Sequence, residues 1–194
     1  MAAHGGNEVS GPRTASNLLA EARAYQELLL AALGDDDPAE AAAETPGRIR
    51  ALIEEAGDLL RVRPEPSEWS ALLCLAHIAD AEVVMSGRYR WVLAHDRPEL
   101  IGYDQDLWVD GLHADDDDPF KLLAQFEALR TANIELWRGA TDADRQRVGL
   151  HRERGAESYD LMFRMLGGHD RVHLAQARRA LEAARRGAAG TNRA

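Results

Sequence analysis

The chemistry open to this sequence gathers on three histidines. His169 and His173 stand four residues apart, and His77 lies far earlier, three residues before Asp80. Two histidines at i and i+4 put both imidazoles on one face of a helix, within reach of a single ion. Tyr159, Met162, Leu166, His169, His173, Gln176 and Ala180 follow steps of three and four, which is the seam by which a helix packs on its neighbours. A buried polar group without a partner costs about 1–3 kcal/mol, so three in succession on a seam need compensation from inside the fold. His77 shares a stripe with Leu73, Ala76, Asp80, Val84, Gly87 and Trp91. Histidines on the inward faces of separate helices are a common way for a bundle core to build a metal site.

The expected ligands are therefore His77, His169 and His173, holding one divalent transition metal. Zinc or nickel is favoured, and iron, cobalt and copper also accept imidazole. Three neutral imidazoles leave the charge of the ion uncompensated and a coordination position open, whereas structural zinc sites are closed by four protein ligands. The expected role is that of a Lewis acid activating water or a thiol. Asp80 and Gln176 are candidates for orienting the ligands or the nucleophile. A different class of function fits the same ligands: a stress-response or interaction module that keeps a metal and performs no turnover. Removing the metal would melt such a module but leave an enzyme folded and inactive.

Other chemistries fit less well. His169-Asp170-Arg171-Val172-His173 has the zinc-protease spacing but carries Asp where the general-base Glu belongs. Di-iron bundles need Glu-x-x-His pairs, and neither His77 nor His169 has a Glu three residues before it. Nothing ties Ser158 to a histidine as a nucleophile. Asp115 to Asp118 lack the alternating spacing and distal Glu of an EF-hand loop and are expected to form an acidic helix start. Cys74, the single cysteine, excludes an internal disulfide, fits a reducing cytoplasm and is expected to be core packing.

The elements that must position these residues are helical. Leu18, Ala22, Tyr25, Leu29 and Ala32 repeat at helix spacing until Gly34-Asp35-Asp36-Asp37-Pro38 stops them. Thr45-Pro46 reads as the start of a second helix, with Ile49, Leu52 or Ile53, Ala56, Leu59 and Leu60 as its apolar face. A third begins at Ser67 or Ser70 and runs to about His95. A long crossover, residues 97–118, carries Tyr103, Trp108 and His113, and its two aromatic rings are candidates to cover the site. Leu122, Phe126, Leu129, Asn133 and Leu136 line a fourth helix ending at Gly139. A polar loop at 141–157 then leads to a last helix over 158–186. No strand pattern is evident. The fold class is all-α: a four-helix bundle with one long crossover and an amphipathic N-terminal helix. Residues 1–16 and 187–194 read as flexible tails around a single domain at 17–186.

Composition sets the outer bounds. The chain has 194 residues, with 45% hydrophobic and 29% charged, enough for one domain with a sizeable core. A net charge of −10 argues against nucleic-acid or anionic-membrane surfaces, and no apolar run is long enough to span a bilayer. The opening residues lack the apolar stretch of a secretory signal. Arg178, Arg179, Arg185 and Arg186 read as favourable charge near a helix C-terminus. The expected partners are a small-molecule substrate and a second copy of the chain, the N-terminal helix being amphipathic enough to offer a dimer face.

Trp69-Ser70, then Leu75-Ala76-His77-Ile78-Ala79-Asp80-Ala81-Glu82, then His169-x-x-x-His173-x-x-Gln176, together resemble the DinB/YfiT-like superfamily of metal-dependent enzymes. The resemblance covers roughly residues 45–181. It implies a four-helix bundle with one long crossover, often dimeric, and metal ligands at the positions of His77, His169 and His173. Similar members include thiol S-transferases that use bacillithiol or mycothiol, and a mycothiol-dependent maleylpyruvate isomerase. A low-molecular-weight thiol cofactor is the corresponding expectation here, by analogy of fold alone.

Overall fold

Asp37-Pro38, expected only to stop the first helix, also starts the second. In a computed structural model, which describes residues 15–191, α1 spans Ala15–Leu33 and α2 spans Pro38–Ala56. Asp37 caps α2, its Oδ1 accepting from the backbone N–H of Ala39 (2.8 Å) and Glu40 (2.9 Å). The expected start at Thr45-Pro46 is corrected: Pro46 lies inside the helix. Proline has no N–H to give to the carbonyl four residues back. That carbonyl, of Ala42, instead accepts from the Arg130 guanidinium at 3.3 Å.

Four helices form the bundle: α2, α3 (Ala71–Ala94), α5 (Pro119–Gly139) and α7 (Tyr159–Thr191). α2 packs on α5 and α7, and α3 packs on the same two, so the ring runs α2, α5, α3, α7. A 3-10 turn at Gly57–Arg61 links α2 toward α3, whose N-cap is Ser70. α1 lies outside the ring against α7. There the chains come so close that a Cβ on Gly168 would sit 1.8 Å from the carbonyl oxygen of Leu29. α1 packs Leu29 and Leu33 into this contact and leaves Tyr25 and Leu28 exposed.

Two apolar clusters fill the bundle, one from Leu72, Leu75, Phe126, Ala177 and their neighbours, the other from Tyr89, Trp137, Met162, Phe163 and theirs. Along α3, α5 and α7 the buried polar residues fall between these clusters, at Glu82, Arg130, Asn133, His169 and Asp170. A polar layer thus crosses the middle of the core. α3 is buried almost all round over its first three turns, and the expected stripe drifts off its core side: Val84 and Gly87 are half-buried and Trp91 is exposed.

The crossover and the loop after α5 are more ordered than expected. The crossover holds β1 (Glu99–Leu100) and α4 (Gln105–Leu112), and the later segment holds α6 (Asp142–Arg145), β2 (Val148–His151) and β3 (Gly155–Ser158). β1 pairs parallel to β2 and β2 antiparallel to β3, a small sheet that corrects the reading of no strands. Gly149 lets β2 pass over Leu100, whose side chain would lie 2.6 Å from an added Cβ. Asp118 caps α5, as an acidic helix start should. At the other end α7 continues through Thr191, which corrects the expected C-terminal tail. Arg185 reaches across to Glu55 of α2 (2.9 Å), with Arg178 close to the same carboxylate, so neither serves a helix terminus. The expected N-terminal tail falls outside the described residues up to residue 14, and residues 192–194 do so as well. No described helix is long and apolar enough to cross a membrane.

Candidate metal centre

α3 and α7 cross where both carry histidine. His77, His169 and His173 are each under a tenth exposed, and one donor nitrogen from each lies within 4.8 Å of the other two. The rings are 4.3–4.9 Å apart between centroids. His77 Nε2 is 3.0 Å from His169 Nε2. Two metal–nitrogen bonds of about 2.1 Å meeting at tetrahedral or smaller angles place their donors about 3.0–3.4 Å apart, so the spacing suits a shared ion.

The protonation states agree. Gln176 Oε1 is 2.9 Å from His173 Nδ1, so that nitrogen carries the proton and Nε2 keeps its lone pair. His173 Nε2 is buried and has no protein partner, and the same holds for Nδ1 of His77 and of His169. Burial pushes His77 down to about 3, helped by the nearby His173, and holds His169 well below the usual imidazole range. His173 is lowered by burial too, partly offset by Gln176 and Asp170. The result is three neutral imidazoles in which Nε2 of His77 and of His169 meet only each other and Nε2 of His173 meets no protein group. A divalent transition metal fits this donor set.

Residues 40–177, which contain all three histidines, match the DinB superfamily. The chain belongs to the DinB superfamily. Its fold is similar to that of YfiT from Bacillus subtilis, described as a probable metal-dependent hydrolase with an unusual four-helix bundle topology. The two share 18% identity and a TM-score of 0.66 over 94% of each chain. No curated protein matches this DinB-superfamily chain in sequence.

Cavities open on both sides of the cluster. One, of about 370 Å³, reaches His77 and His169; the other, of about 570 Å³, reaches His173, Gln176 and Trp69. Gln105 and Asp106, at the start of α4, line both, so the crossover lies over the junction. Tyr103 lines the first cavity, and Trp108 backs it with ring centroids 4.8 Å apart. Burial and the nearby Asp80 push the Tyr103 phenol up to about 12, so it stays a hydrogen-bond donor at neutral pH.

Asp80 has its hydrogen-bond partner in the crossover. Its carboxylate bonds His113 Nε2 at 3.0 Å, and Asp117 bonds the other nitrogen of that ring at 3.0 Å. Its partner is thus the crossover, and none of the three site histidines. Cys74 is buried in the apolar core, away from the cluster, as expected of packing. Ser158 accepts the Leu161 N–H as a helix-start residue.

Sequence reasoning missed the polar neighbours. Asp170, beside His169, turns away from the site to Arg130, which is 1% exposed (2.6 Å). Arg130 also donates to Glu82 at 2.7 and 3.0 Å. Asn133 joins Glu82 to Ser86, and Thr45 donates to Asp170 at 2.9 Å. The available signal was Arg130 between Phe126 and Asn133, on a face otherwise read as apolar.

Proposed function

We propose that this protein is a metal-dependent enzyme whose three histidines hold one divalent transition metal, and that it activates a low-molecular-weight thiol or water against an electrophilic small molecule. A thiol S-transferase reaction with mycothiol or bacillithiol is the first to test. The observation that carries this reading is the convergence of three buried imidazoles, each with a nitrogen that no protein group satisfies, where two cavities meet.

His77, His169 and His173 would hold the ion. When bound, it supplies Lewis acidity that lowers the pKa of a thiol or water to near neutral. The chain's own residues do the rest. Gln176 fixes the His173 tautomer through its side-chain oxygen. Leu29, Met85 and Leu166 give the smaller cavity apolar walls that limit water around the reacting groups. Tyr103 offers a protonated hydroxyl to a developing negative charge in the same cavity. The similarity to YfiT supports a metal-dependent reaction as the class to test.

The test is elemental analysis of protein purified without added metal, followed by assays of metal-free and reloaded protein with each thiol and an electrophile such as a chlorodinitrobenzene. The proposal expects metal-free protein that stays folded, is inactive and recovers with metal. Bound metal with neither thiol transfer nor hydrolysis, together with melting of the fold on metal removal, would favour a binding module instead.

A further inference from the structure

We infer that the cavity reaching His77 and His169 takes a monocarboxylate ligand whose carboxylate is held by Arg88. This deepens the reading above, since it assigns a substrate or thiol class to the same site.

α3 supplies one wall through His77, Ala81, Met85 and Arg88, spaced by four, four and three residues and so sharing a helix face. Eleven residues separate His77 from Arg88, about 16 Å along the axis. The cavity is therefore bipolar. Its one end has the histidine cluster, its middle is apolar through Leu29, Met85, Met165 and Leu166, and its other end has Arg88 and Arg154.

The two arginines are not equivalent. Arg154 is spent: it donates through Nε and Nη2 to Glu157, which also accepts from Gln26 at 2.7 Å. Arg88 is 4% exposed and, among the described residues, forms no ion pair. One of its terminal nitrogens donates to the Ile101 carbonyl and the other meets only the Met85 sulfur, at 3.7 Å. Its Nε is buried with no partner at all. Glu157 acts on Arg88 only through space, its oxygens being bonded to Arg154 and Gln26, so the buried guanidinium has no paired carboxylate, and a carboxylate is the group its forked donors fit best. Asp104 forms no ion pair with Arg88; its Oδ1 caps α4 by accepting from the N–H of Asp106 and Leu107. That acid at the cavity wall, with Asp106, also disfavours a dianion, which points to a carboxylate over a phosphate. An apolar middle between two polar ends suits a ligand with a short hydrocarbon body.

The experiment compares 6-mercaptohexanoate with 6-mercaptohexanol, which differ only in the end group, by calorimetric titration of the zinc-loaded full chain. The acid is expected to bind about tenfold tighter than the alcohol. Arg88→Gln should remove that preference and leave the alcohol affinity unchanged. Equal affinities in the wild type, or a preference kept in Arg88→Gln, would overturn the proposal, as would tighter binding of inorganic phosphate than of hexanoate. If Arg88→Gln does not fold, Arg88→Lys must show a reduced preference; an undiminished one overturns the proposal. Zinc content, measured separately, tests the metal reading. If zinc does not bind, hexanoate against hexanol on the metal-free protein still decides the carboxylate site alone.

Discussion

Two polar clusters share the middle layer of this bundle, and neighbouring residues of one helix feed them: Asp170 enters the Arg130 cluster and His169 the histidine cluster. Around Arg130 donors and acceptors are matched: Arg130, Asn133 and Thr45 donate, and Glu82, Asp170 and the Ala42 carbonyl freed by Pro46 accept. Around His77 the reverse holds, and buried nitrogens on all three rings find no protein partner. Both clusters are costly to bury. The first has its compensation inside the protein and so reads as architecture. The second lacks it, which identifies a place where something from outside is to bind.

Breaking each cluster should therefore do opposite things. Arg130→Met leaves Glu82 and Asp170 buried and unpaired, so urea denaturation should show a loss of about 3–5 kcal/mol. His77→Leu in the metal-free protein should be neutral or stabilising in the same assay, because Nδ1 of that ring has no partner and its Nε2 meets only another imidazole nitrogen. A loss at His77 as large as at Arg130 would erase the distinction. A smaller effect belongs to Gln176, which acts on the site through His173. Gln176→Ala should weaken zinc binding about 10–100-fold, read by competition with a chelator, while leaving the fold intact. Undiminished affinity would mean that the hydrogen bond to His173 does not tune the site.

Acidification should separate the clusters more gently. Unfolded histidine takes a proton near its ordinary value of about 6.5, whereas folded His77 does not until about 3. Between those values the unfolded chain binds more protons, so the metal-free protein loses stability as pH falls. One unit below 6.5, His77 alone should contribute a loss of about 1.4 kcal/mol. Melting curves of wild type and His77→Leu should diverge over that range, and parallel curves would contradict the burial of a neutral ring.

The seam of α7 was legible because His169, His173 and Gln176 interrupt a strictly spaced apolar row, and the helical class followed from the same periodicity. What was not legible depends on partners distant in sequence. Arg130 stands on the inward face of α5, but nothing in the sequence names Glu82 and Asp170 as its partners, and Asp80 gives no hint that His113 will reach it. Thr45-Pro46 carries a helix-start signature, yet tertiary bonds to Asp170 and Arg130 absorb both its hydroxyl and the carbonyl left free by the proline. The small sheet was hidden by strands of two to four residues without a run of β-branched side chains. On α3, burial is all round only over the first three turns, and beyond them the buried face carries Arg88 and Val92 and not the Gly87 and Trp91 of the expected stripe.

The most direct test is calorimetric zinc titration of the metal-free wild type beside His77→Ala, His169→Ala and His173→Ala, with folding of each variant checked by circular dichroism. The account predicts one zinc per wild-type chain and a large loss of affinity in each folded variant. Full occupancy at wild-type affinity in any one of them would contradict the three-histidine site.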